Sequence, residues 1–197
     1  MTTALLIVEC QRGVVGDLTF LPAVAEAAAP VLPTIGRLAR GARASGVLVV
    51  HLTFVPAFGG QSVNQRSRMM QLARPALATW SDERPGHAVV DEIGVGPDDL
   101  VLPRSQGLSP VHRTETLPLL RNLGVGRVVV AGVSTNLAIP LVAVAAGDED
   151  FEVVIPTDAI IGAPAEYHEL ALRHVLPVVG RLVTTDELLA EWAKGGR

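Results

Sequence analysis

Two charged residues in apolar surroundings are the first candidates for chemistry. Glu9 closes the run Ala4-Leu5-Leu6-Ile7-Val8. A carboxylate ending a buried strand is costly to desolvate unless it is paired. Buried, paired acids concentrate at functional sites, so Glu9 reads as an acid or base; the alternative is a structural acid held by a nearby cation. Arg104 follows a second apolar segment, in Leu102-Pro103-Arg104-Ser105. A guanidinium holds its proton too firmly to shuttle it. It can clamp a carboxylate or keep Glu9 ionised, or it is simply a surface arginine after a strand. Cys10 is the only cysteine. Neighbours on a strand point to opposite faces, so Cys10 should face away from Glu9 and pack as a small apolar residue. The alternative makes it the nucleophile of an amidase.

His51, His87, His112, His168 and His174 are scattered without metal-ligand spacing, so no metal site and no cofactor are expected. His112 is close in sequence to Arg104 and is the histidine expected near a substrate. Residues 55–87 carry Arg66, Arg68, Arg74 and Arg84 with Asn64, Gln65 and Trp80. The plain reading is a solvated helix face. The sharper one has Arg66 or Arg68 meeting an anionic substrate.

These residues need elements to position them. Val128 to Ala131 is a short apolar run typical of a strand covered on both faces. Gly132 permits a sharp exit, and Ser134, Thr135 and Asn136 are all good helix N-caps. A helix starting there aims unpaired N–H groups at whatever lies above the sheet, and those near Leu137 and Ala138 could hold an anion. Pro140 disfavours helical geometry at Ile139, so an irregular helix start is expected. Earlier, Ala4–Glu9 reads as a central strand. Leu32, Ile35, Leu38 and Ala42 have helical spacing, with the regular helix starting near Pro33 and ending at Gly46. Val47–Phe54 is the second strand, completing a βαβ unit with a right-handed crossover. The long connection 55–87, with a helix over Asn64–Ala78, is the kind that forms a lid. Later come strands at Asp99–Pro103, Phe151–Ile155 and Gly180–Val183. Helices are expected at Thr114–Asn122, from the Ser134 turn to Ala146, at Pro164–Val175, and at Thr185–Ala193 with Thr184 or Thr185 as cap. Alternating strands and helices mean an α/β fold with a parallel sheet, in a single domain over residues 1–197.

The segment Val128-Val129-Val130-Ala131-Gly132-Val133-Ser134-Thr135 resembles the strand-G-V-x-T-x-x-C motif of the isochorismatase-like, or cysteine hydrolase, superfamily. The position of that family's nucleophile is Ala138. Leu5-Leu6-Ile7-Val8-Glu9-Cys10-Gln11 is similar to the family's L-L-I-V-D-x-Q, with Glu9, one methylene longer, at the catalytic aspartate and Gln11 at the glutamine. Arg104, or alternatively Ser105, falls at the catalytic lysine, ahead of Ser109 and Thr114. The D-x-H signature of the metal-binding nicotinamidase branch does not follow His51. The resemblance implies a three-layer αβα fold with six strands in the order 3-2-1-4-5-6. It also implies a cis peptide at Val133–Ser134 and a site formed by Glu9, Arg104, Gln11, Ser134, Thr135, Leu137, Ala138, Arg66 and His112. True isochorismatases also lack the cysteine; they cleave a vinyl ether with an aspartate as general acid. The implied activity is hydrolysis of a small, carboxylated molecule without a cysteine nucleophile. The alternative is a binding or scaffold protein that keeps the fold and pocket.

Composition narrows the partners. The chain has 197 residues, 49% hydrophobic and 4% aromatic, so Val, Leu, Ala and Ile must build the core. A net charge of −4 without a basic block argues against nucleic acid. No apolar run reaches the ~20 residues of a membrane helix, and the N-terminus lacks a cationic leader region. One cysteine fits a reducing cytoplasm. Low-charge Ala/Val-rich faces, with the family resemblance, suggest a homodimer or larger assembly acting on a small molecule.

Overall fold

Apolar alternation along the central strands divides the core in two. The computed structural model describes residues 2–77 and 85–195. On β1 (Thr2–Val8), Leu5 and Ile7 face one side, while Leu6 and Val8 face the other. After α1 (Arg12–Val15), α2 (Pro22–Ala28) and α3 (Leu32–Ala44), strand β2 (Leu48–Phe54) pairs parallel to β1. Next come α4 (Arg68–Leu77), a 3-10 turn at Pro85–His87, β3 (Leu100–Arg104), α5 (Thr116–Asn122) and β4 (Val125–Val133). The chain continues through α6 (Ala138–Asp148), β5 (Glu152–Pro156), β6 (Ile160–Ile161), α7 (Ala165–His174) and α8 (Leu176–Val179). It ends with β7 (Arg181–Val183) and α9 (Thr185–Gly195).

The strands run in the order β3-β2-β1-β4-β5-β7, all pairings parallel. This is the expected order, with β7 as the expected sixth strand; the two-residue β6 pairs with the end of β4 and was not anticipated. Ile35 and Leu38 of α3 and Leu188 and Trp192 of α9 cover one face. Leu117 and Leu120 of α5 and Ile139, Val142 and Ala146 of α6 cover the other. The result is three layers, αβα.

Some boundaries differ from expectation. Pro22, at the first position of α2, and Pro33, at the second of α3, mark two separate helices, because a proline favours the first turn and Pro30 lies in the break between them. The helix expected over Asn64–Ala78 begins only at Arg68; Ala78, Trp80 and Arg84 lie outside the described residues. At α9 the cap is reciprocal. Thr184 N–H donates to Glu187 Oε2 at 2.7 Å, and Glu187 N–H donates to Thr184 Oγ1 at 3.3 Å. No described helix is long and apolar enough to cross a membrane.

A buried acid ties the edge of the sheet. Asp99, just before β3, accepts hydrogen bonds from Arg43 (2.7 Å), Gly96 N–H (2.9 Å) and His51 Nε2 (2.8 Å). Burial raises the Asp99 carboxyl, but Arg43, the Gly96 amide and His51 outweigh it and hold it at about 2. Burial likewise pushes the His51 imidazole below its ordinary value, against the pull of Asp99.

Candidate active site

The site forms where β1, β2, β3 and β4 end together. Glu9 leaves β1 with φ +53°, a left-handed conformation unusual for a side-chain-bearing residue. Its N–H still donates to Leu52 O at 2.9 Å, so the turn is anchored to β2. The turn aims Glu9 into a cavity above the sheet, while Cys10 packs into the core beneath α3. Burial, and then the charge of Glu9, push the Cys10 thiol up. A thiol in that state is a poor source of thiolate, which removes the physical basis for the Cys10 nucleophile.

Arg104 ends β3 opposite Phe54 on β2, and its carbonyl accepts from Val55 N–H at 2.7 Å. Its side chain is 5% exposed, and Nη2 lies 2.5 Å from Glu9 Oε1. The guanidinium sits over the Phe54 ring, 4.9 Å from its centroid. Nε and Nη1 are buried and have no hydrogen-bond partner among the described residues. A buried cation satisfied on one nitrogen is poised to accept another anionic group.

Gln11, expected at the substrate, is instead a clamp. Its Oε1 accepts from Phe54 N–H at 2.7 Å, and its Nε2 donates to Phe54 O at 3.0 Å and His87 O at 3.1 Å. These bonds occupy the amide and hold the Phe54 backbone beneath Arg104, so Gln11 does not line the cavity.

The fourth wall is the turn after β4. Gly132 has φ +107°, and a Cβ there would lie 2.4 Å from Val8 O. Only glycine lets β4 approach β1 so closely. The Val133–Ser134 peptide is cis, as the resemblance implied. Asn136 fixes the following residues: its Nδ2 donates to Ala163 O at 2.6 Å and its Oδ1 accepts from Ala163 N–H at 3.1 Å. Thr135, expected at the substrate, is fully buried behind the turn; its Oγ1 is 3.1 Å from His168 Nδ1, and its N–H donates to Ile161 O at 3.0 Å. Burial lowers the His168 imidazole below its usual value, with Glu169 pulling it back. Ser134, Leu137 and Ala138 do line the cavity, and Ala138 is the first residue of α6.

The cavity is about 40 Å³, room for ~3 waters. Glu9, Arg104 and Ser134 are its polar lining. Phe20, Leu21 and Val24 close one side, the last from the unanticipated α2. Met69 and Met70 of α4, with Leu108, close another. Arg66 and His112 are exposed and outside this lining. Helix α4 turns Met70, Ala73 and Leu77 inward at helical spacing, which leaves Arg68 and Arg74 in solvent, and Arg66 lies in the exposed turn before it. Val111 takes the buried position in its segment and directs His112 outward. Sequence reading missed Phe54, Asn136 and the two methionines. The only available signal was Phe54's place at the end of the second strand. Among the described residues, no group of His, Cys, Asp and Glu could hold a metal ion.

Comparisons with known proteins agree with this architecture. An isochorismatase domain model matches residues 3–187. The chain is 27% identical over 192 residues to the uncharacterized isochorismatase family protein YecD of Escherichia coli O157:H7, covering 95% of each. It is 26% identical over 140 residues to phenazine biosynthesis protein PhzD1 of Pseudomonas aeruginosa, covering 71% of this chain and 66% of that protein. An isochorismatase family protein from Desulfovibrio vulgaris aligns with a TM-score of 0.80 at 25% identity, covering 98% of both chains. With the domain model matching nearly the whole of this chain and the sheet order and site turn in place, the chain belongs to the isochorismatase family.

Proposed function

We propose that the protein hydrolyses a small, carboxylated molecule without a cysteine nucleophile, using Glu9 as general acid and base. One observation carries this reading: Glu9 and Arg104 converge on a partly open, mainly apolar cavity whose wall is the start of α6, where Ala138 offers no thiol. Cleavage of an enol ether suits such a site. A proton delivered to the terminal alkene carbon gives an oxocarbenium ion, water adds to it, and the hemiketal collapses to a ketone and an alcohol. The protein must supply an acid, an anion holder and exclusion of bulk water, but no nucleophile. Protonated Glu9 is the acid, and the resulting carboxylate then activates the water. Arg104 holds the substrate carboxylate. In the first turn of α6 the Ile139 N–H donates to Ser134 O, the Leu141 N–H donates to Leu137 O and Pro140 has no N–H, so the Ala138 N–H is the donor left to stabilise negative charge on oxygen.

The test is release of pyruvate from simple enolpyruvyl ethers that bear one carboxylate, with isochorismate as the dianionic comparison. The expected result is turnover by the wild type and a loss of at least ~100-fold in Glu9→Gln. Equal rates in the two proteins would remove Glu9 from the mechanism.

A second reading, a ligand-binding protein without catalysis, is favoured by the 2.5 Å ion pair, which leaves Glu9 a carboxylate rather than an acid in the empty site. Thermal stabilisation by small acids or amides with no turnover of any of them would select it. Under either reading we propose a homo-oligomer, supported by apolar residues in solvent on α7 and α8, where Leu170 is 51% and Val178 82% exposed. Sedimentation as a monomer at micromolar concentration would contradict that part.

A further inference from the structure

Resting on the reading of this cavity as the binding site, we infer that it selects molecules with one anionic group on an apolar body. We further infer that such a molecule takes Arg104 from Glu9 and leaves Glu9 protonated. The charge inventory is short. The lining holds one cation, Arg104, and one anion, Glu9. Arg66 and Arg68 are exposed and outside it. The remaining walls are apolar apart from Ser134, so an uncompensated charge inside is strongly disfavoured.

The geometry of Arg104 favours an exchange. A carboxylate binds a guanidinium through two nitrogens on one edge. The two open edges are Nε with Nη2 and Nη1 with Nη2, since the side-chain stem blocks the third. Both edges therefore need Nη2, whose two N–H groups meet Glu9 Oε1 at 2.5 Å and Leu108 O at 3.5 Å; a carboxylate on either edge displaces one of these acceptors, and displacing Glu9 also relieves the repulsion between two carboxylates. Nε and Nη1 are the buried donors without partners, so whichever edge is used gains a bond that the empty site lacks.

Three cases follow from neutrality. The empty site is neutral, with Arg104 positive and Glu9 negative. A monoanion displaces Glu9 from Nη2 and adds one negative charge; neutrality returns when one proton from solvent lands on a Glu9 carboxylate oxygen. Glu9 is then the acid that the proposed chemistry requires, and binding itself arms it. An uncharged molecule leaves the ion pair in place and does not arm Glu9. A dianion brings one negative charge too many even with Glu9 protonated. Isochorismate carries two carboxylates, so this site favours enol ethers with only one. At about 40 Å³ the empty cavity is too small for a ring, so an apolar body enters only as the flexible thioether side chains of Met69 and Met70 swing aside.

The experiment is isothermal titration calorimetry of the whole protein at about pH 6, in two buffers of different protonation enthalpy, so that protons are counted. The probes are benzoate, benzamide and isophthalate, which share a ring and differ in charge. Benzoate is expected to bind with uptake of about one proton, and the other two at least ~10-fold more weakly. Glu9→Gln should bind benzoate more tightly than wild type and without proton uptake, because its guanidinium has no anionic partner. That gain distinguishes the exchange from a merely structural role for Glu9. Benzoate binding without proton uptake, equal affinity for isophthalate or benzamide, or no benzoate binding at millimolar concentration would each overturn the inference. Proton-linked benzoate binding together with no turnover of any enol ether would leave this inference standing and remove the hydrolase reading.

Discussion

Among the described residues, two acid–guanidinium pairs have one partner almost fully buried, and they are finished differently. Asp99 meets Arg43 through both carboxylate oxygens and also receives the Gly96 amide and His51 Nε2. Its side chain is 3% exposed, and Arg43 spends a further donor on Gly94 O at 3.0 Å. Glu9 meets Arg104 through one close contact, in a cavity, with two guanidinium nitrogens left over. A buried ion pair strengthens a fold when its remaining donors and acceptors are satisfied. The Asp99 cluster meets that condition and reads as an anchor for the β2–β3 edge. The Glu9 pair does not, and its unmet capacity is what a ligand can use.

The sharpest way to break the contrast is to disarm each acid. Asp99→Asn should cost ~3 kcal/mol or more, because Arg43 is left as a partly buried charge without its counterion. Urea unfolding would measure it. Glu9→Gln should cost less, ~1–2 kcal/mol, because Arg104 also loses its counterion but gives up one close contact, where Asp99 gives up bonds to Arg43, Gly96 and His51. A larger loss at Glu9 than at Asp99 would reverse the two roles.

Acid titration separates the pairs again. Asp99 is held at about 2, below its ordinary 3.8, so its contribution is fully present above about pH 4 and is lost as pH falls toward 2. It amounts to ~2 kcal/mol. His51 is lowered, so the unfolded chain binds its proton more readily, and stability also falls as pH drops below the ordinary histidine value of 6.5. Unfolding free energies should therefore decline in acid, and Asp99→Asn should flatten the decline below about pH 4.

A smaller effect is expected at the turn. Asn136→Ala removes both bonds to Ala163 and should reduce ligand affinity or turnover ~10-fold while the fold persists. Unchanged binding would show that the turn keeps its geometry without the clamp.

How far the sequence reveals this site depends on the range of the interaction. Glu9 and the Ser134 turn are legible because each sits directly after an apolar strand, and a parallel sheet brings strand ends together. Arg104 is legible for the same reason, although its pairing with Glu9 is a choice that sequence leaves open. Gln11 is not legible, because its role is a clamp on Phe54, 43 residues away, and a polar side chain beside a candidate acid looks like a substrate contact. Arg66 and His112 fail for a related cause. Charge and proximity in sequence suggested the site, but the burial of Met70, Ala73, Leu77 and Val111 decided which way those segments face. The α2 wall was hidden by one Ala-rich stretch that prolines divide into two helices.

The most direct test of the Glu9–Arg104 cavity as the binding site is a crystal structure of the protein with benzoate. The account predicts the benzoate carboxylate on an edge of Arg104 that includes Nη2, with Glu9 moved out of contact with that nitrogen and the ring against Met69 and Met70. Benzoate bound elsewhere, with the Glu9–Arg104 contact still at 2.5 Å, would contradict it.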